Sequence, residues 1–167
     1  MNNVYIHIGL HKTGTSHMQV NVFPFLKDIN FICGWKGVFR NVIDDLTKNE
    51  KNLLISDENI SGKNWGVNYL PNLSERSYID IYEQNIDWLY NIFPNAYIII
   101  GFRKHSSLIL SFYRQYILEG GYKNYDEVFQ INKNTYNDYS FKKRIEILKN
   151  KYNDRIYIYD HDQLVKN

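Results

Sequence analysis

The sequence predicts an α/β fold in three layers, with a mostly parallel central sheet and helices on both faces. Two observations carry this expectation. Short apolar runs of strand length alternate along the chain with segments whose apolar residues recur at helical spacing. One run, AYIIIGFR from Ala96 to Arg103, is apolar at successive positions, as expected of a strand covered on both faces in a parallel sheet.

In chain order, VYIHIGL is a β-rich stretch that ends its strand at Gly9. After a loop, SHMQVNVFPFL reads as a helix, with Ser16 near its N-cap and Gln19 three residues on as a capping-box pair, and Pro24 is expected to end or kink it. KNLLISDEN supplies a second strand, Leu53 to Ser56, which delivers Asp57, Glu58 and Asn59 at its C-terminal end. Between Asn64 and Ser77, Gly, Pro, Asn and Ser indicate a loop. Ile79, Tyr82, Ile86, Leu89 and Phe93 then form a helical stripe of core residues, punctuated by Pro94 and Asn95. SSLILSFYRQYILEGG is a helix closed by Gly120 and Gly121. A helix near Phe141 to Tyr152 and a final strand, RIYIYD, complete the alternation. No repeat, linker or low-complexity block interrupts it, so residues 1–167 read as one domain.

Composition narrows the function classes. Hydrophobic residues at 44% and charged residues at 23% are those of a globular domain. A net charge of +2 and a pI near 8.5 suit an anionic ligand without demanding nucleic acid. The cluster Lys142, Lys143 and Arg144 reads as a solvated helix face. The single cysteine, Cys33, allows no internal disulfide and no multi-cysteine metal site, and is expected to be buried and inert. There is no recognisable secretory leader and no run near the roughly 18 apolar residues of a membrane span, which together suit a cytoplasmic protein. The histidines form no spaced metal set, so neither a structural nor a catalytic metal is expected.

GLHKTGTS, Gly9 to Ser16, carries the chemistry. It is nearly a phosphate-binding P-loop, with Gly9, Gly14 and Ser16 in place, but Thr15 stands where the lysine belongs and Lys12 lies inside the loop. A strand-to-helix turn of this kind offers backbone N–H groups and a helix N-terminus to an anion. Asp57, Glu58 and Arg103 fall at the carboxyl ends of neighbouring strands, where open α/β sheets hold ligands.

HIGLHKTGTSHMQ resembles the loop of sulfotransferases that use 3'-phosphoadenylyl sulfate, in which a K-T-G-[TS]-[TS] segment holds the 5'-phosphosulfate. FRKHSSLILSFYRQYILEGGY is similar to the family's second motif, a strand-ending arginine followed by a serine, here Arg103 and Ser111, which hold the 3'-phosphate. RIYIYDHDQL resembles the segment that closes the family's sheet, so the likeness runs from Tyr5 to about Leu164. It implies a P-loop NTPase-like fold and a cofactor site of His11, Lys12, Thr13, Gly14, Thr15, Ser16, Arg103 and Ser111. It also implies transfer to a hydroxyl or amine of a carbohydrate or small-molecule acceptor, with no obligatory metal, in a bacterial or phage setting.

Under that resemblance Lys12 stabilises charge on the oxygen between phosphate and sulfonyl group, and Glu58 is the candidate base. His7, His11 and His105 are rivals for that role; His7 lies mid-strand and reads as a core residue, while His17 and His161 carry no motif. Trp35, Trp65 and Tyr69, in expected loops, are candidates to stack on a sugar. Two other readings stand beside this one. A P-loop kinase or NTPase, in which Asp160 would hold the metal, needs a lysine at Thr15. A catalytically silent nucleotide-binding domain fits the point that the family usually continues into further helices beyond DHDQL, whereas the sequence ends at Asn167.

Overall fold

The computed structural model describes residues 3–34, 51–62, 78–130 and 140–164. Among them, five strands form one sheet: β1 (Val4–Gly9), β2 (Ile29–Cys33), β3 (Asn52–Ser56), β4 (Tyr97–Phe102) and β5 (Ile156–Asp160). Their order is β2-β3-β1-β4-β5, and every neighbouring pair is parallel. The expected loop from Asn64 to Ser77 lies outside the described residues, as do Trp35, Trp65 and Tyr69. No helix among the described residues is long and apolar enough to cross a membrane.

Strand alternation divides the sheet's side chains between two layers. Ile6, Ile8, Leu53, Ile55, Ile98 and Ile100 are buried in one core with α2 (Tyr78–Ile92) and α5 (Phe141–Tyr152). Every residue of the stripe Ile79, Tyr82, Ile86, Leu89 and Phe93 is in it. Burying an aliphatic side chain of this size stabilises by about 1.5–3 kcal/mol. On the opposite face, the helix α1 (Thr15–Asn21) leads into a 3-10 turn, Phe23–Phe25, with Pro24 at its start. There the Phe23 ring meets His7 and Phe31 at centroid distances of 5.1 and 5.5 Å. The remaining helices are α3 (His105–Leu118), α4 (Tyr125–Gln130) and the short α6 (His161–Leu164). Leu108, Phe112 and Tyr116 of α3 form a satellite cluster with Val128 of α4.

Three local expectations are corrected. The N-cap of α1 is Gly14 with no side-chain cap, and Gln19 donates instead to the Ser56 carbonyl and hydroxyl at 3.2 and 3.0 Å, so a contact to β3 replaces the capping box. Cys33 is exposed, because it ends an edge strand that its sequence did not announce. What burial it has, then the carboxylates of Asp57 and Glu58, push its thiol pKa up and disfavour the thiolate. Arg144 is buried, not solvated: its guanidinium lies 4.5 Å from the Tyr82 ring centre and donates to the Ser61 carbonyl at 3.1 Å. It thereby ties α5 to the 3-10 turn Glu58–Ser61 that follows β3.

Candidate active site

The chain leaves β1 toward β2 on one side of the sheet and leaves β4 toward β5 on the other. That reversal opens a crevice beyond the carboxyl ends of β1 and β4. The Leu10–Gly14 loop enters it from β1 and Arg103 from β4. A cleft of about 270 Å³ lies there, lined by His11, Lys12, Gly14, Thr15, Ser16, His17, Glu58, Arg103, Ser111 and His161.

The loop's carbonyls are tied back by side chains. The Leu10 carbonyl accepts from the Thr13 hydroxyl at 2.6 Å and the Thr15 hydroxyl at 3.4 Å. The Lys12 carbonyl accepts from Arg103 at 3.3 Å, and the Thr13 carbonyl from the Tyr159 hydroxyl at 3.3 Å. The Gly14 carbonyl takes the first helical bond, from the Met18 N–H at 3.0 Å. An N-terminal turn leaves its early N–H groups without intrahelical partners, so Thr15, Ser16 and His17, which all line the cleft, carry amides with no acceptor within α1. Carbonyls turned inward and amides left unpaired are what an anion needs.

Backbone conformation supports this shape. Lys12 has φ 65° and Gly14 φ 88°, left-handed values that bend the loop twice. Gly9 is required by close approach, since a Cβ there would lie 2.7 Å from the Thr15 hydroxyl and 3.1 Å from the Glu58 Cβ. Its absence brings the 3-10 turn bearing Glu58 against the loop.

The charged groups follow. Lys12 is half-buried, and its ammonium donates to Gln115 Oε1 at 2.8 Å. Arg103 Nε lies 3.9 Å from Asp162 Oδ1 and is buried without a hydrogen bond. Glu58 Oε1 lies 3.4 Å from His11 Nδ1. Burial pushes the Glu58 carboxyl pKa up, but the neighbouring His11, then Lys12 and His7, outweigh it and hold it below the usual carboxylate value.

The structure thus brings His11, Lys12, Gly14, Thr15, Ser16, Glu58, Arg103 and Ser111 to one cleft. Thr13 is fully buried and shapes the loop from behind. His105 is placed elsewhere: it starts α3, and its ring stacks on Phe141 at 4.1 Å. His7 lies behind the loop, its Nδ1 2.7 Å from the Ser56 hydroxyl and its Nε2 2.9 Å from the Tyr159 hydroxyl. Burial lowers its pKa to about 4, partly offset by Glu58, so the ring is neutral. His17 and His161 line the cleft although no motif marks them. Among the described residues no group of three or more His, Cys, Asp or Glu is arranged to hold a metal ion.

No family model matches the chain, and no curated protein matches it. Among solved structures it is similar to a sulfotransferase from Alicyclobacillus acidocaldarius, with a TM-score of 0.63 and 12% sequence identity. The match covers 100% of this chain and 76% of that one. At this identity the likeness is one of fold, the parallel α/β architecture.

Proposed function

We propose that the chain is a sulfotransferase, moving a sulfonyl group from 3'-phosphoadenylyl sulfate to a hydroxyl, or an amine, of a carbohydrate or small-molecule acceptor. The observation that carries this reading is the loop itself, with its carbonyls tied inward, free amides at a helix N-terminus and Lys12 within the turn. The fold likeness to a sulfotransferase agrees with it.

The residues present fit such a donor. The amides of Thr15 and Ser16 and the Lys12 ammonium would hold its phosphosulfate, while Arg103 and Ser111 on the other wall would take the 3'-phosphate. In the transfer a bond forms between the acceptor oxygen and sulfur, and the bond from sulfur to the phosphate oxygen breaks. The electron pair stays on that oxygen, leaving adenosine 3',5'-bisphosphate. Lys12 stabilises the charge that builds there, which favours the transition state over the ground state. Glu58, ionised at neutral pH, receives the acceptor's proton.

The kinase or NTPase reading fits less well. Thr15 is buried and its hydroxyl faces the Leu10 carbonyl, so the position that bears the lysine in a P-loop carries no charge here. Calorimetric titration with adenosine 3',5'-bisphosphate, with and without Mg²⁺ and against ATP, separates the readings. Metal-independent binding that prefers the bisphosphate is expected; preference for ATP with Mg²⁺ would reverse the assignment.

A further inference from the structure

The His11 ring is held at both nitrogens by groups that accept hydrogen bonds. Nε2 lies 3.1 Å from the Gly62 carbonyl, and a carbonyl only accepts, so Nε2 carries a proton. Nδ1 is buried without a hydrogen bond, and Glu58 Oε1 stands beside it at 3.4 Å. With Nε2 already protonated, a neutral ring would turn the Nδ1 lone pair on a carboxylate oxygen. That arrangement is repulsive, and the side chains involved are 7% and 30% exposed, so water screens it poorly. One more proton, on Nδ1 or on the carboxyl, turns the repulsion into a hydrogen bond.

We infer that His11 and Glu58 form a dyad that holds one shared proton between Nδ1 and Oε1, with His11 as the positioning residue that orients and neutralises the base. The inference deepens the sulfotransferase reading and rests on it for its catalytic meaning. Its physical rationale is charge. A lone carboxylate beside the seat of a multiply anionic donor would repel that donor, whereas a dyad with one proton is electrically neutral. Binding Oε1 to the ring also leaves Oε2 as the oxygen offered to the acceptor. When the acceptor's hydroxyl loses its proton to Oε2, the shared proton stays in the dyad, and the new S–O bond takes the acceptor's electron pair. At 3.4 Å and without hydrogen-bond geometry the contact is a loose one, and such contacts tighten when a site is occupied.

Other charged or titratable groups surround the pair from the neighbouring elements. Lys12 from the loop, Arg103 after β4, and His17 and His161 line the same cleft, while His7 and Asp57 lie behind it. The cations favour the ionised carboxyl, and none of them contacts His11 Nδ1 in the described structure.

The test is nitrogen NMR of protein labelled at histidine, with His11→Gln used to assign the His11 signals. The expected result at neutral pH is a wild-type Nδ1 that is protonated or strongly hydrogen-bonded, reverting to a bare nitrogen in Glu58→Ala while Nε2 keeps its proton. A bare Nδ1 in the wild type, or no change in Glu58→Ala, overturns the dyad whether or not the protein transfers sulfonyl groups. If transfer is observed, His11→Gln is expected to lower kcat by about tenfold or more, since orienting a base acts on the chemical step, and to weaken bisphosphate binding as well, since it leaves the carboxylate beside the anion seat without its neutralising partner. An unaltered kcat in that variant counts against His11 as the partner of the base, and the NMR result is untouched by failure of the activity itself.

Discussion

The ammonium of Lys12 is held 2.8 Å from the side-chain oxygen of Gln115, across the cleft from the loop to α3. A lysine side chain loses about 2 kcal/mol of rotamer entropy when it is fixed, and Gln115 does that fixing in advance. Lys12→Ala is therefore expected to cut transfer by about 10²–10³-fold, the range seen when one stabilising donor is removed from a developing anion. Gln115→Leu keeps the cation and loses its anchor, so a smaller drop of about tenfold in kcat is expected. Single-turnover kinetics with a saturating donor measure both, and unchanged turnover in Lys12→Ala would remove that residue from the mechanism.

The observed and the proposed roles of Arg103 can be separated. Its NH1 group donates to the Lys12 carbonyl at 3.3 Å, and it stands beside Ser111 on the proposed 3'-phosphate wall. Arg103→Ala is expected to weaken adenosine 3',5'-bisphosphate by about 10–100-fold, as for loss of a charge-assisted hydrogen bond, and adenosine 5'-monophosphate by much less. Equal losses for the two nucleotides would assign Arg103 to shaping the loop alone. Calorimetry with each nucleotide decides the matter.

The buried relay behind the loop yields a stability prediction. Tyr159 donates to the Thr13 carbonyl, so its oxygen accepts from His7 Nε2–H; His7 Nδ1 then accepts from the Ser56 hydroxyl, which in turn accepts from Gln19. This chain is satisfied only while His7 is neutral. Its folded pKa is lowered to about 4 from 6.5, so between those values the unfolded chain binds a proton that the native one refuses. Its stabilisation is present above pH 6.5 and is lost as pH falls through about 4, on the order of 3 kcal/mol in all. Denaturant unfolding from pH 7 to 4 should show a steeper loss for the wild type than for His7→Gln; parallel curves would mean that the ring titrates normally.

Freeing the Thr13 carbonyl gives the complementary experiment. Tyr159→Phe removes the hydroxyl that turns this carbonyl inward, 3.3 Å away, and leaves the ring. The freed oxygen is able to swing toward the anion seat, so bisphosphate affinity is expected to fall by about tenfold while far-UV dichroism stays the same. Affinity equal to that of the wild type would show that the tie does not shape the loop.

Much of this arrangement was legible in the sequence because it obeys local rules. A glycine-bearing loop between strand and helix, an acidic pair after the second apolar run and an arginine after the third all fall at carboxyl strand ends, and the described fold brings the loop, Glu58 of the pair and the arginine to one cleft, with Asp57 buried behind it. His161 directly follows β5, so the rule that singled out Arg103 applied to it as well. His17 follows the loop's last hydroxyl on the first turn of α1, where the helix N-terminus alone was a signal. What no local pattern carried were the long-range partners. Gln115 for Lys12, Tyr159 for His7 and Ser61 for Arg144 are separated by 103, 152 and 83 residues and meet only through the sheet order. The edge strand β2 was hidden for a related reason: at an edge, both faces stay half-covered, and INFIC has neither a clean alternation nor an uninterrupted apolar run.

Glu58 supplies the last prediction, because its acid limb can be told apart from that of the fold. Burial raises its pKa, but His11, Lys12 and His7 together lower it by more, and the net value lies below the usual 4.5. On the proposed mechanism the carboxylate form is the base, so turnover attributable to it is expected above that point and is lost as pH falls through the lowered value. The His7 relay weakens the fold over a higher interval, from 6.5 down to about 4, so a structural loss sets in first. Bisphosphate binding measured alongside turnover separates the two, since failure of the fold removes both and protonation of Glu58 removes transfer before binding. Glu58→Gln is expected to lower kcat by about 10²–10⁴-fold, the usual contribution of a positioned base, while nucleotide affinity stays within about twofold. If that variant transfers normally, the proton goes elsewhere, and His17 and His161 are the cleft residues whose position would let them take it.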